Sequence, residues 1–179
     1  MPDLTKLPHD LDRQEGVCKA VIETPKGRRS KYDYDRRARC FRLKTILPEG
    51  MSFPLDFGFI PSTLAGDGDP LDVMVLADEP APMGALVDVR LIGVIEAEEQ
   101  EKGRTERNDR VLGVATATRL HAAVRAPGDL PDQFVEQLID FWIQKDRLEG
   151  KVFKPLGVRD GKVAIELVKA TSKAARKAA

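Results

Sequence analysis

The stretch Asp67-Gly68-Asp69-Pro70-Leu71-Asp72-Val73-Met74-Val75-Leu76 places three carboxylates within six residues, just where an apolar strand begins. Like charges at that spacing repel, so a chain that concentrates them at a strand entry has a use for cations that neutralise them. Gly68 lets the loop turn tightly and Pro70 fixes its exit. Alternation then sends Leu71, Val73 and Val75 toward a core and leaves Asp72 on the opposite face. Hard oxygen donors favour magnesium, with manganese as a substitute, over zinc. A solvated acidic turn is the plain alternative, because Asp and Gly are common turn formers. An EF-hand is excluded: Asp72 stands where that loop needs glycine, Pro70 interrupts it, and strands rather than helices are expected on either side.

Upstream, Val17 to Thr24 is β-rich, and a PKGRR turn returns the chain through the alternating strand Lys31 to Asp35. Lys31, Asp33 and Asp35 share one face. Arg39 to Ile46 alternates again, and the aromatic stretch FPLDFGFIP follows at 53–61. Downstream, Val87 to Ile95 and Val111 to Thr118 predict two further strands. The charged run EAEEQEKGRTERND between them predicts a solvent-exposed hairpin loop. A first helix is predicted from near Asp129, with Pro131 in its first turn and Phe134, Leu138, Phe141, Trp142 and Leu148 at helical spacing, ending at Gly150. A second begins after Asp160 and runs through Val163, Leu167 and Val168. Strands first and helices last predict a mainly β, α+β fold: a small closed β-barrel with helices packed outside it, mostly C-terminal.

The whole chain has 179 residues, 29 basic against 29 acidic side chains, and 42% apolar residues. That size suits one domain able to bury roughly 70% of its unfolded surface without staples. Its expected limits are an extension at 1–16, a domain at 17–170, and a basic Ala/Lys tail at 171–179 that frays and stays solvated. Zero net charge lacks the footprint of nucleic-acid or anionic-membrane binding, so neither partner is expected. No apolar run approaches the ~20 residues of a membrane span, and the start is acidic, without an apolar segment, so a cytoplasmic location is expected. Cys18 and Cys40 form no CxxC pair and are expected to be reduced core thiols. With only His9 and His121, and no Gly-x-Ser-x-Gly, His-Glu-x-x-His, Walker-type or Gly-x-Gly-x-x-Gly motif, serine-hydrolase, zinc-protease and nucleotide-cradle readings have no support. Lys145 falls in line with the apolar seam of the first helix, which points it at the barrel; the alternative is a packed stem with its ammonium in solvent.

The segment DGDPLDVMVL resembles the signature of the soluble family I inorganic pyrophosphatases. Val21 to Pro25, Ser30 to Asp33, Phe53 to Ile60 and Gln144 to Lys151 resemble that family's other blocks, in the same order, so the resemblance covers roughly residues 17 to 170. It implies an oligonucleotide-binding-like barrel and magnesium-dependent hydrolysis of inorganic diphosphate to two phosphates. It makes Asp67 and Asp72 metal ligands, with Asp72 bridging two ions, Glu23 an outer carboxylate that orders hydrated metal, and Asp69 the base for the attacking water. Lys31 and Lys145 would contact substrate phosphates. Bacterial members form hexamers, so a homo-oligomer is expected.

The departures fall at the site. Where the family has a phosphate-binding arginine, Thr45 stands, with Lys44 beside it and Arg42 nearby; strand alternation turns Lys44 away from Thr45's face, so it can substitute only through a bulge. Two tyrosines become Phe57 and Gln144. The family's Asp-x-Lys becomes Asn108-Asp109-Arg110, so either Asn108 replaces a carboxylate ligand or Asp109 shifts into its place. Glu99 and Glu101 compete to supply the remaining loop carboxylate. Arg110 keeps the lysine's charge but as a planar fork suited to phosphate. Two other readings remain open: the same metal site acting on another phosphoanhydride, or a non-catalytic homologue that binds cation or phosphate.

Overall fold

The apolar alternation of residues 71–76 is used on both faces. In the computed structural model, which describes residues 2–131 and 133–178, the elements run β1 (Val17–Thr24), β2 (Ser30–Asp35), β3 (Cys40–Ile46), β4 (Asp56–Ile60), β5 (Leu71–Leu76), β6 (Leu86–Glu101), β7 (Arg104–Arg107), β8 (Arg110–Ala115), α1 (Phe134–Leu148), β9 (Val152–Asp160) and α2 (Gly161–Ala178). The path β1-β4-β5-β8-β6 closes because β6 also pairs with β1, giving a five-stranded ring. Only β5 and β8 run parallel among its pairings. Strands β7 and β9 extend β6 beyond the ring, and β2 with β3 forms a separate hairpin. The hairpin is tied to β1 by the Tyr32 amide donating to Thr24 Oγ1 at 3.1 Å and the Tyr34 amide donating to Glu23 Oε1 at 2.7 Å. The mainly β, barrel-like architecture with C-terminal helices is the one the sequence predicts.

Leu71, Val73 and Val75 join a buried cluster with Ile22, Val89 and Val111 that includes Ala164 and Val168 of α2. Met74 and Leu76 join the other, with Phe53, Phe57, Leu112 and Phe153, that includes Leu138 and Trp142 of α1. The face of β5 that carries Asp72 is therefore a second core face, on which the Trp142 indole N–H donates to Met74 Sδ at 3.1 Å.

Several expectations change. The charged run at 96–109 is no loop: β6 continues to Glu101, turns at Lys102 and Gly103, and returns as β7. Opposite charges meet across its ladders, Arg159 Nε on Glu96 at 2.8 Å and Arg107 Nη2 on Glu96 at 2.9 Å, while Ala97 is fully buried. Strand β9 went unpredicted because Pro155 and Gly157 interrupt it and its side chains are mostly exposed. The first helix starts at Phe134: Gln133 takes a left-handed conformation (φ 69°), and Pro127–Asp129 forms a separate 3-10 turn, with Asp129 accepting from the Arg125 and Ala126 amides. Pro131 lies before the helix, and Leu148 is exposed at its end. Gly150 ends α1 with φ 75°.

Cys18 is buried, and desolvation pushes its thiol up to about 12; Cys40, on the separate hairpin, is exposed rather than in a core. Over its described residues the tail is helical. Helix α2 continues to Ala178, with Thr171 and Ser172 buried where the N-terminal extension crosses it and His9 Nε2 lies 2.8 Å from Ser172 Oγ. Met1 and Ala179, the ends of the expected extension and tail, lie outside the described residues. Among the described residues, no helix is long and apolar enough to cross a membrane.

Gly58 marks the tightest crossing in the ring. A Cβ there would lie 1.9 Å from the Val21 carbonyl oxygen. Backbone, not a movable side chain, is in the way, so Gly58→Ala should destabilise by about 3 kcal/mol and lower the melting midpoint by roughly 10 °C. Thermal unfolding followed by circular dichroism tests this; an unchanged midpoint contradicts the close β1–β4 approach.

Candidate active site

Separate segments deliver charged side chains to a cavity of about 310 Å³ lined by nine carboxylates and six lysines or arginines. Strand β1 contributes Glu23, β2 Lys31 and Asp33, the turn after it Arg36, and bulged β3 Lys44. The β4–β5 loop contributes Asp67 and Asp69, and β5 contributes Asp72. The other wall is Glu99, Glu101, Asn108, Arg110 and, from α1, Lys145. A larger groove of about 1470 Å³, between the N-terminal extension and α2, shares only Thr5 and Arg36 with it.

The acidic face is strongly perturbed. Glu23 is 8% exposed, and burial pushes its carboxyl up to about 8 against the opposing pull of the Tyr34 amide and Lys31. Burial likewise raises Asp72 to about 6, although Arg110 and Lys31 draw it down. Asp67 Oδ1 accepts from the Asp69 amide at 3.0 Å, which sets the loop's turn. The Asp69 side chain is 79% exposed and looks into the cavity, 3.7 Å from Arg36 Nη2. Its carboxylate is open to a water in the cavity.

The cationic side chains are held by this excess. Lys31 Nζ pairs with Asp33 and lies 5.8 Å from the Phe57 ring centroid. Burial alone lowers its pKa, but Asp33, Asp72 and Glu23 outweigh burial and raise it. On α1, Leu138, Trp142 and Lys145 follow one another along a single buried face. Lys145 Nζ is bonded to Glu149 at 2.8 Å and Asp146 at 3.2 Å, so the ammonium lies inside the cavity wall rather than in solvent. Lys151 reaches Glu99 at 2.7 Å and Glu101 at 3.3 Å; burial opposes ionisation of Glu99, yet Lys151 holds its pKa down.

Lys44 lies at a bulge. Lys31 pairs with Thr45 while Tyr32 pairs with Leu43, leaving Lys44 as the extra residue. That is the irregularity a substitute needs, and Lys44 Nζ lies 3.6 Å from Asp33 Oδ2 at the cavity edge. Three candidates do not line the cavity. Asp109 accepts from the Ala97 amide at 3.0 Å and Arg107 Nε at 2.6 Å, so its carboxylate clamps β6 to β8 instead of shifting into a ligand position. Arg42 is bound to Asp35 at 3.0 Å, and Gln144 is exposed on the side of α1 away from the Trp142–Lys145 seam. Arg36, Glu149 and Lys151 were not singled out as candidates: Arg36 and Lys151 sit in turns where periodicity says nothing, though Glu149 follows Lys145 by one helical step.

Among the described residues, no three His, Cys, Asp or Glu side chains converge into a closed chelate. The donors are carboxylate oxygens spaced around a cavity with excess negative charge, an arrangement that fits hard cations retaining much of their own water.

The two raised carboxyl groups fix a sign for the pH dependence. A carboxyl with a higher pKa folded than unfolded contributes its stability in full below the unfolded value and loses it as pH rises through the folded one. The metal-free protein should therefore lose stability from about pH 4, the unfolded carboxyl range, up to the folded value of about 8 for Glu23. Magnesium should restore stability most at the upper end, where it no longer competes with protons. Denaturant titrations with a chelator across that range test this; metal-free stability that rises with pH contradicts it.

Comparison with known proteins follows the same outline. A family model described as Inorganic pyrophosphatase matches residues 20–176. The chain is 37% identical over 173 residues to an inorganic pyrophosphatase of Thermus thermophilus, covering 95% of this chain and 96% of that one. It is 33% identical over 166 residues to one of Synechocystis, covering 93% and 95%. The crystal structure of a Thermus thermophilus inorganic pyrophosphatase superposes with a TM-score of 0.88 at 35% identity, covering 98% of this chain and 99% of the other.

Proposed function

The chain belongs to the inorganic pyrophosphatase family, and from that premise we propose that its acidic cavity hydrolyses inorganic diphosphate to two phosphates with magnesium. The observation that carries this reading is the meeting of Glu23, Lys31, Asp67, Asp69, Asp72 and Lys145 around one cavity. Their segments are spread from β1 to α1. Stability of a barrel does not call for that set of charges in one place.

Asp67 and Asp72 face the space for divalent cation, with Glu23 behind them ordering water. When bound, magnesium supplies positive charge to the diphosphate and lowers the pKa of the attacking water. Lys31 and Lys145, fixed by Asp33, Asp146 and Glu149, hold the phosphoryl oxygens, and Lys44 with Arg36 closes the exposed side. Water attacks one phosphorus, the bond from that phosphorus to the bridging oxygen breaks, and Asp69 receives the proton of the attacking water. Phe57 packs beneath Lys31 where the family's phenol would donate, so cationic side chains carry more of the phosphate binding here. The same reading takes the enzyme as a cytoplasmic homo-oligomer.

Asp69→Asn removes the proton acceptor and Asp72→Asn the central carboxylate. Each should lower phosphate release from magnesium diphosphate by a factor of about 10² or more while the protein stays folded. Near-normal turnover in either variant rules out this assignment. Lys44→Ala removes one charged hydrogen bond to the substrate, worth about 1.5 kcal/mol or more. It should therefore raise KM roughly tenfold with a smaller change in kcat. An unaltered KM takes Lys44 out of the binding set.

A further inference from the structure

Arg110 is the most enclosed charge in this wall, with a side chain 4% exposed. Its guanidinium carbon lies 4.5 Å from the Trp142 ring centroid and 6.0 Å from that of Phe153. Nη1 lies 2.6 Å from Asp72 Oδ2 and also donates to Asn108 Oδ1. Nη2 faces Glu99 Oε2 at 4.0 Å, and the Asn108 amide nitrogen donates to that same oxygen at 3.2 Å. Asp72, Arg110, Asn108 and Glu99 thus form a chain that alternates negative, positive, neutral and negative.

The chemistry of residue 108 matters here. An amide accepts from the guanidinium at one end and donates to Glu99 at the other. A carboxylate at 108 has no proton to give Glu99, and would leave two negative groups facing each other across about 3 Å with only the single charges of Arg110 and Lys151 beside them. A lysine at 110 would lose the planar group that lies over the indole and turns one nitrogen to Asp72 and Asn108 and the other to Glu99. Asn108 and Arg110 are therefore a matched pair, each suited to the other's departure from the family pattern.

We propose that the Arg110 guanidinium is a resident cation, filling the space between Asp72 and the Glu99–Asn108 wall that a divalent ion would otherwise neutralise. The chain then closes its site with one ion fewer than it would with aspartate at position 108 and lysine at position 110. Asp72 Oδ2 is taken by the guanidinium, which leaves Oδ1 as the oxygen that would serve a metal, at odds with the bridging of two ions that the family resemblance implies. This rests on the diphosphatase reading for the purpose of the remaining ions. It is tested without substrate, so the two stand or fall separately.

The test counts manganese ions bound per chain at saturation, by electron paramagnetic resonance of free manganese, on purified full-length protein. Asn108→Asp combined with Arg110→Lys should bind one more ion than the parent chain. Arg110→Gln, neutral and too short to reach the guanidinium's place, should also gain one, and serves if the double variant fails to fold as judged by circular dichroism. Asn108→Asp alone should gain none, because the guanidinium still fills the position. A folded Arg110→Gln that binds no additional ion overturns the proposal. So does a gain in Asn108→Asp alone, since the amide rather than the arginine would then be what keeps the ion out. Loss of diphosphate hydrolysis in the parent chain would strike the functional reading and leave the ion count untouched.

Discussion

Negative charge that outnumbers positive charge in a half-enclosed cavity is the constraint around which the rest of this structure is organised. Nine carboxylates face six cationic side chains there. Desolvation drives Glu23 and Asp72 well above the ordinary carboxyl range, so ionising both requires a partner that replaces lost water. Every enclosed cation in the wall is committed: Lys31 to Asp33, Lys145 to Asp146 and Glu149, Arg110 to Asp72 and Asn108. What stays short of positive charge is the region of Asp67 and the second oxygen of Asp72, with Asp69 met only by the exposed Arg36 at 3.7 Å, and there a divalent ion and a diphosphate together would restore balance.

The scaffold keeps that imbalance from collapsing. The ring fixes β5 between β4 and β8, so Asp72 is paired with Phe59 of β4 and stands one residue before the β5–β8 ladder begins at Val73. The aromatic group of Phe53, Phe57, Trp142 and Phe153 packs edge and face beneath the cavity, with ring centroids 5.0 to 6.3 Å apart in its contacting pairs. Trp142 also supports both Arg110 and Lys145, at 4.5 and 5.5 Å. A single indole therefore sets the height of two charged groups that enter from different elements. The hairpin β2–β3 stands outside the ring and meets β1 through Glu23 and Thr24, which lets it bring Lys31 and Lys44 over the carboxylates.

The fold class was legible because short alternating or apolar runs mark β1 to β3, β5, the first half of β6 and β8, and helices follow with clear spacing. Asp72 and Lys145 were legible as site candidates for a related reason, each being a charge placed on an otherwise packed face, whereas Lys31 shares its face with Asp33 and Asp35 and was marked only by the family resemblance. Strand β9 and the far half of β6 were not, since they are held in a backbone ladder and carry mostly charged or exposed side chains that leave no hydrophobic period. The role of Asp109 was also hidden. Nothing local distinguishes it from Asn108, and only the Ala97 amide and Arg107 across the β6–β8 junction reveal which of the two turns into the cavity. Arg36 and Lys151 belong to turns, where a side chain's reach depends on backbone direction rather than spacing.

The most direct measurement is phosphate release from diphosphate by the purified parent chain, followed first in a chelator and then as magnesium is returned. The charge imbalance predicts no turnover without divalent cation and two phosphates per diphosphate once magnesium is restored. Undiminished hydrolysis in the chelator, or none at any magnesium concentration by a folded protein, would contradict it.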